Sequence, residues 1–339
     1  MKAVIIPQPH VLEIADLPKP VIKADDDVLI RVTSAGICGS DIGIYRGTNS
    51  LATYPRLIGH EFGGIVEAVG AGVSSCKVGD HVAVDPTTVS ATDSYAIRVG
   101  RYNVDRSLRV MGVHRDGGFA EYVSVPAANV HRFTGPFDPA LLGVVEPYTI
   151  GWQICERSGI AAGDRVLILG AGPIGSCAMQ IARSRGARVI ITDILDRRLE
   201  RAAAAGAEVT VNTQTDDLDE AIAAFTDDEG IEVIVDSVCR PETLRQAVLT
   251  AAPAGRVVCL TTAADEVALP AAEITKKELT IYGSRLTRGG FPRVIAEIEA
   301  GRIDPSRIVS HHFPLEQAET AIRQLIENPA DMLKVVLDF

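Results

Sequence analysis

From Arg165 onward the chain repeats a short apolar run, a turn and an amphipathic stretch, and this alternation constrains its fold more than any other feature. The run Arg165–Leu169 precedes a helical pattern at Ile174–Arg185, Arg188–Thr192 precedes Asp196–Ala205, and Val209–Val211 precedes Asp217–Phe225. Strand patterns follow at Ile231–Val238, Gly255–Thr261 and Leu279–Tyr282, with a helical pattern at Pro241–Thr250 between the first two. Alternation at this spacing predicts an α/β fold: a doubly wound, parallel, six-stranded sheet with right-handed crossovers.

The turn after the first of these runs reads Gly170-Ala-Gly172-Pro173-Ile174-Gly175 and opens a helix. The first glycine permits the tight turn, the second lets backbone approach a pyrophosphate, and the third lets helix and strand pack closely. The phosphates would then sit on free N–H groups at the helix start. Asp193 ends the next strand about 20 residues on, where a carboxylate accepts hydrogen bonds from both ribose hydroxyls of the adenosine. Its charge disfavours a 2′-phosphate and so favours NAD, although Arg197 and Arg198 keep NADP in play. A glycine turn with no ligand would explain the motif alone but not its agreement with strand, helix and acid.

Residues 1 to 148 differ in texture, with many Gly and Pro and short β-branched runs at Val28–Val32, Gly64–Val69 and His81–Val84, which predicts a mostly-β domain. A second domain then covers 149–285. The tail, 286–339, carries helical patterns at Pro292–Glu299 and Leu315–Ile326 and a strand pattern at Lys334–Leu337. With 33 Lys and Arg against 44 Asp and Glu the formal charge is −11, and no basic run tracks a phosphate backbone, so nucleic acid is not an expected partner. The longest uncharged stretch is broken by the glycine turn and predicts no membrane span. Six scattered cysteines and no signal-peptide pattern predict reduced thiols in a cytoplasmic protein.

Within the first domain, Gly36-Ile37-Cys38-Gly39-Ser40-Asp41 and Gly59-His60-Glu61 put a thiol, an imidazole and two carboxylates in glycine-flanked turns. Either residue alone proves little, since a lone Cys is usually a small buried hydrophobe. GICGSD, GHEFGGIVEAVG, VGDHVAVDP, GVHRDGGFAEYV, VEPYTIGW and LGAGPIG occur in this order. On these motifs the chain resembles the medium-chain, zinc-dependent alcohol and polyol dehydrogenases over nearly its whole length, and most of all their bacterial sorbitol-type and L-galactonate-type branch.

The resemblance implies a GroES-like catalytic domain, 1–148 completed by 286–339, and a Rossmann domain that binds NAD at 149–285. It implies one catalytic zinc on Cys38, His60 and Glu146, with water in the fourth position and Glu61 behind the metal as an exchangeable ligand. Ser40 would begin a proton relay, and Asp41 would orient His60. Gly43 stands where many relatives carry the next histidine of that relay, so the proton must pass through water or a cofactor ribose. Lys334 matches a position whose cation reaches the pyrophosphate; a solvated surface lysine is the plain alternative. Ala91, Ser94, Ile97 and Asp105 occupy the places where many relatives bind a structural zinc through four cysteines, so one zinc per chain is expected. Relatives pair their dinucleotide sheets edge to edge, implying a homodimer or homotetramer.

Arg46, Arg115, Arg285 and Arg288 fall in segments that border the substrate cleft by resemblance, and an arginine fork suits a carboxylate. Salt bridges explain most arginines taken singly. Tyr45 and Phe119 fit a pocket wall or the core equally. The expected reaction is oxidation of a secondary hydroxyl of a sugar alcohol or sugar acid with hydride transfer to NAD. The rivals are L-threonine or simple alcohol oxidation, and a non-enzymatic cofactor-binding homologue.

Overall fold

The computed structural model describes residues 1–260 and 265–339, so the end of the predicted Gly255–Thr261 strand lies outside the described residues. The chain forms two compact units: Met1–Glu146 with Phe291–Ala300 and Val309–Phe339, and Pro147–Gly290 with Gly301–Ile308.

The first unit is built on a seven-stranded sheet. From one edge its strands are Val130–Arg132, His81–Val84, Glu61–Val69, Asp27–Ile37, Lys334–Asp338 and Val309–Pro314, with Tyr122–Pro126 also paired to Asp27–Ile37. Asp27–Ile37 is thus flanked by Glu61–Val69 and, near its end, by the last strand of the chain. Both pairings are antiparallel, and they set Gly36 opposite Glu61 on one side and Val336 on the other. Val28, Ile30, Val32, Val66, Val82 and Val336 are buried along this sheet. Each fully buried aliphatic side chain of this kind contributes roughly 1.5–3 kcal/mol by leaving water.

The second unit carries a six-stranded, wholly parallel sheet ordered Val209–Asn212, Arg188–Asp193, Arg165–Leu169, Ile231–Asp236, Ala251–Cys259, Thr280–Gly283. Successive strands step outward in one direction from Arg165–Leu169 and then in the other from Ile231–Asp236, which leaves a crevice-forming reversal between those two strands. The Gly170 turn leaves the sheet at that reversal. Leu167, Ile190, Ile234 and Val257 face Phe225 and Leu244 of the covering helices in one apolar cluster.

The boundaries differ from expectation at Pro147 and Tyr148, which fall in the dinucleotide unit, and again in the tail. Residues 286–290 and 301–308 of the tail belong to the dinucleotide unit, not to the catalytic one. The side chains of Tyr148 and Gln180 hold the latter piece: Tyr148 Oη donates to Asp304 O at 3.1 Å, Asp304 N donates to Gln180 Oε1 at 3.0 Å, and Gln180 Nε2 donates to Tyr148 Oη at 2.7 Å.

The segment around Ala91, Ser94, Ile97 and Asp105 is held by a hydrogen-bonded knot. Ser94 Oγ donates to Asp105, Ser107 Oγ donates to Asp105 Oδ1 at 2.6 Å, and Ile97 N and Ala91 N donate to Ser94 Oγ and Ser107 Oγ. Hydrogen bonds from Ser107 and Ser94 hold the Asp105 carboxyl below its ordinary range.

Candidate metal and dinucleotide sites

The metal donors come from strand ends that the sheet register brings together. Cys38 follows the strand Asp27–Ile37 and precedes the helix Gly39–Arg46; its backbone N donates to Asp41 Oδ2 at 2.9 Å, which fixes the start of that helix. His60 immediately precedes the strand Glu61–Val69. Because Gly36 opposes Glu61 in antiparallel register, Cys38 and His60 emerge side by side. The result is a cluster in which ligand atoms of Cys38, His60 and Glu61 all lie within 4.8 Å of one another. Gly36 makes the space: a Cβ there would stand 2.3 Å from Glu61 Oε2.

Glu146 reaches the same neighbourhood by another route. The turn Pro139–Val144 packs on the strand Asp27–Ile37, with Gly143 N donating to Ser34 Oγ at 2.8 Å, and the helix Val145–Ser158 starts there. Burial, and then the charge of Glu61, push the Glu146 carboxyl up to about 8. Burial opposes charge on His60, yet the facing Asp41 and Cys38 hold its pKa well above 6.5. An imidazole drawn toward its cationic form and a carboxyl that resists its anionic form mark a donor set short of positive charge.

His60 Nδ1 is buried and, among the described residues, has no hydrogen-bond partner; Asp41 Oδ1 is 3.7 Å away, an ionic contact rather than the expected hydrogen bond. Asp41 instead ties down backbone, accepting from Cys38 N and from Gly59 N at 3.3 Å. Ser40 Oγ lies 3.3 Å from His60 Nε2. One sulfur, one imidazole and neighbouring carboxylates fit zinc, whose ligands are of these three kinds. The convergent trio contains Glu61, the expected exchange ligand, with Glu146 adjoining it.

Lys334 is not the solvated surface lysine of the plain alternative. Its strand is an interior member of the sheet, so the residue is 2% exposed instead of solvated. The ammonium donates to Glu61 Oε1 at 2.9 Å, Glu61 Oε2 at 2.7 Å and Ile37 O at 3.1 Å, bridging over the bare face of Gly36. A buried ion pair therefore stands beside the thiol and imidazole. The unbroken apolar run Val335–Leu337 of the last strand places it inside without naming its neighbour.

In the second unit, Gly170 has φ 95° and begins the turn, and a Cβ on Gly175 would stand 1.9 Å from Gly170 O. Gly172 contrasts with both, since a Cβ there meets nothing within 4 Å. It is the N-cap of the helix Pro173–Ser184, and no side chain caps that end, so a ligand can take the free N–H groups of Ile174 and Gly175. Asp193 locks the turn: Oδ2 accepts from Ala171 N at 2.9 Å, and Oδ1 accepts from Ile194 N and Leu195 N at 2.8 and 3.1 Å. Arg198 Nη1 lies 3.5 Å from Asp193 Oδ2. An open cradle with a buried acid at its rim fits a dinucleotide.

Of the other residues singled out in the sequence, Tyr45 and Phe119 are core, Arg46 and Arg285 are exposed, and Arg115 and Arg288 are half-buried. Among the described residues no helix is long and apolar enough to cross a membrane.

Fold and donor set together define a zinc-dependent dehydrogenase of the alcohol dehydrogenase type. Residues 24–135 match the alcohol dehydrogenase GroES-like domain and residues 173–300 match the zinc-binding dehydrogenase domain, and the chain belongs to this family. It is 39% identical to starvation-sensing protein RspB of Escherichia coli K12, covering 100% of this chain and 99% of that protein. It is 33% identical to L-galactonate-5-dehydrogenase of the same organism, covering 94% and 93% of the two. The solved structure of the alcohol dehydrogenase rspB from E. coli CFT073, complexed with NADH, superposes with a TM-score of 0.93 at 37% identity, covering 100% of this chain and 99% of that one.

Proposed function

We propose that this protein oxidises a secondary hydroxyl of a sugar alcohol or sugar acid, with NAD as hydride acceptor. The observation that carries the reading is the convergence of Cys38, His60 and Glu61 at the ends of paired strands, with Glu146 beside them. When bound, zinc supplies Lewis-acid activation of a hydroxyl oxygen and NAD supplies the hydride acceptor.

Cys38, His60 and a carboxylate from Glu61 or Glu146 would hold the metal. Asp41 fixes the backbone on both sides of the site and opposes drift of the two loops. Lys334 holds Glu61 in its pocket and balances its charge. Ser40 Oγ takes up the hydroxyl proton and passes it to water, since Gly43 offers no side chain to continue the relay. Gly172 leaves room for the pyrophosphate on the helix start, while Asp193 at the rim receives the adenosine ribose. The Asp193 carboxylate at the rim of the turn, which would repel a 2′-phosphate, supports NAD over NADP.

A screen of NADH production across alditols and aldonates tests the reading. Turnover of at least one polyol or sugar acid is expected; activity confined to threonine or simple alcohols would overturn it.

A further inference from the structure

The peptide between Gly170 and Ala171 is gripped at both of its polar ends. Asp193 takes the N–H, with Oδ2 accepting from Ala171 N at 2.9 Å. The carbonyl is taken by a residue that the glycine motif does not contain. Ser237 Oγ donates to Gly170 O at 3.0 Å and to Leu169 O at 2.7 Å, one hydroxyl proton serving two carbonyls. Ser237 N donates to Leu169 O as well, at 3.0 Å. The two gripping residues come from opposite sides of the strand Arg165–Leu169: Asp193 ends the neighbour Arg188–Asp193, and Ser237 follows the neighbour Ile231–Asp236.

Such a grip has a purpose in a turn that starts on glycine. Gly170, at φ 95°, sets no side-chain limit on rotation of the peptide that follows it. A carbonyl oxygen facing a pyrophosphate repels it, whereas an N–H attracts it, so the orientation of each peptide in the turn decides whether phosphate is welcome. Ser237 occupies the carbonyls of Leu169 and Gly170, and Ser176 Oγ donates to the next one, Ala171 O, at 3.2 Å. Three successive carbonyls therefore accept hydroxyl protons, while the N–H groups of Ile174 and Gly175 stay free. The hydroxyl of Ser237 is also closely fitted: a Cβ on Gly175 would stand 2.8 Å from its Oγ, and a Cβ on Gly170 would stand 3.0 Å from it.

We infer that Ser237 is a positioning residue for the dinucleotide pyrophosphate, its hydroxyl fixing the glycine turn so that free N–H groups, and not carbonyls, meet the phosphates. It acts through the turn, from the far side of the crevice between the strands Arg165–Leu169 and Ile231–Asp236. The inference rests on the reading of that turn as the dinucleotide site.

Fluorescence titration with NADH, and its displacement by ADP and by adenosine, tests this on the full chain. Ser237→Ala is expected to weaken NADH and ADP by at least about fivefold, the scale of one lost hydrogen bond between uncharged groups. Adenosine carries no phosphate and is expected to change by less than about twofold. The ratio of ADP to adenosine affinity is internal to each preparation, so a general loss of stability does not imitate the effect. Unchanged NADH and ADP affinity in Ser237→Ala would overturn the inference. Equal weakening of ADP and adenosine would also overturn it, by making Ser237 a general support of the unit. Failure of the parent protein to bind NADH would remove the dinucleotide reading itself.

Discussion

At Gly36 the metal site has no room for a side chain, because a Cβ would lie 2.3 Å from Glu61 Oε2. Gly36→Ala is expected to displace the Glu61 carboxylate and lower kcat by more than about tenfold, with far-ultraviolet circular dichroism unchanged; full activity would show that Glu61 needs no such position. Lys334 is the complementary case. Removing it strands a buried carboxylate, so Lys334→Met should cost about 3–5 kcal/mol in urea unfolding, and Glu61→Gln combined with Lys334→Met should recover most of that. A loss under about 1 kcal/mol would mean that the pair is hydrated and contributes as a surface pair does. His131 provides a pH signature. It stacks on Phe291 with ring centroids 4.9 Å apart, and burial lowers its pKa from 6.5 to about 4. Folded protein keeps this imidazole neutral where the unfolded chain protonates it. Its contribution is therefore complete above pH 6.5 and is lost as pH falls toward 4, by up to about 3 kcal/mol. Urea midpoints at pH 7 and pH 5 should converge in His131→Phe relative to the parent; an identical pH slope would contradict the assignment.

Among the elements, the strand, glycine turn and helix of the dinucleotide unit make separable predictions. Gly172 faces open space while Gly175 sits on Gly170 O, so a methyl group should act differently at the two positions. Gly172→Ala should leave thermal stability within a few degrees of the parent and weaken NADH binding by at least about tenfold in fluorescence titration; Gly175→Ala should lose both. Equal NADH affinity in Gly172→Ala would remove the pyrophosphate from that turn. This unit was legible in the sequence because each strand, turn and helix is a local pattern, and the six parallel strands follow from their alternation. The catalytic unit was less so. Cys38 and His60 were legible as a pair only through their motifs, whereas the Glu61–Lys334 bridge joins residues 273 apart and depends on which strands pair. The assignment of 301–308 to the dinucleotide unit likewise rests on Tyr148 and Gln180, two side chains whose patterning is merely that of buried helix faces.

For the molecule as a whole, each compact unit carries one candidate site: the first the cluster of Cys38, His60 and Glu61, the second the glycine turn before the helix Pro173–Ser184. The hydrogen-bonded knot of Ser94, Asp105 and Ser107 organises the segment around Ala91 and Ile97. A chain folded this way has one cluster fit for zinc among its described residues. The most direct measurement is zinc content per chain, taken on the same preparations as NAD-linked turnover, for the parent and for Cys38→Ala with His60→Ala. The expected result is close to one zinc per parent chain, and loss of both zinc and turnover in the double variant. Two zinc ions per parent chain, or turnover that persists after the double substitution, would contradict the account.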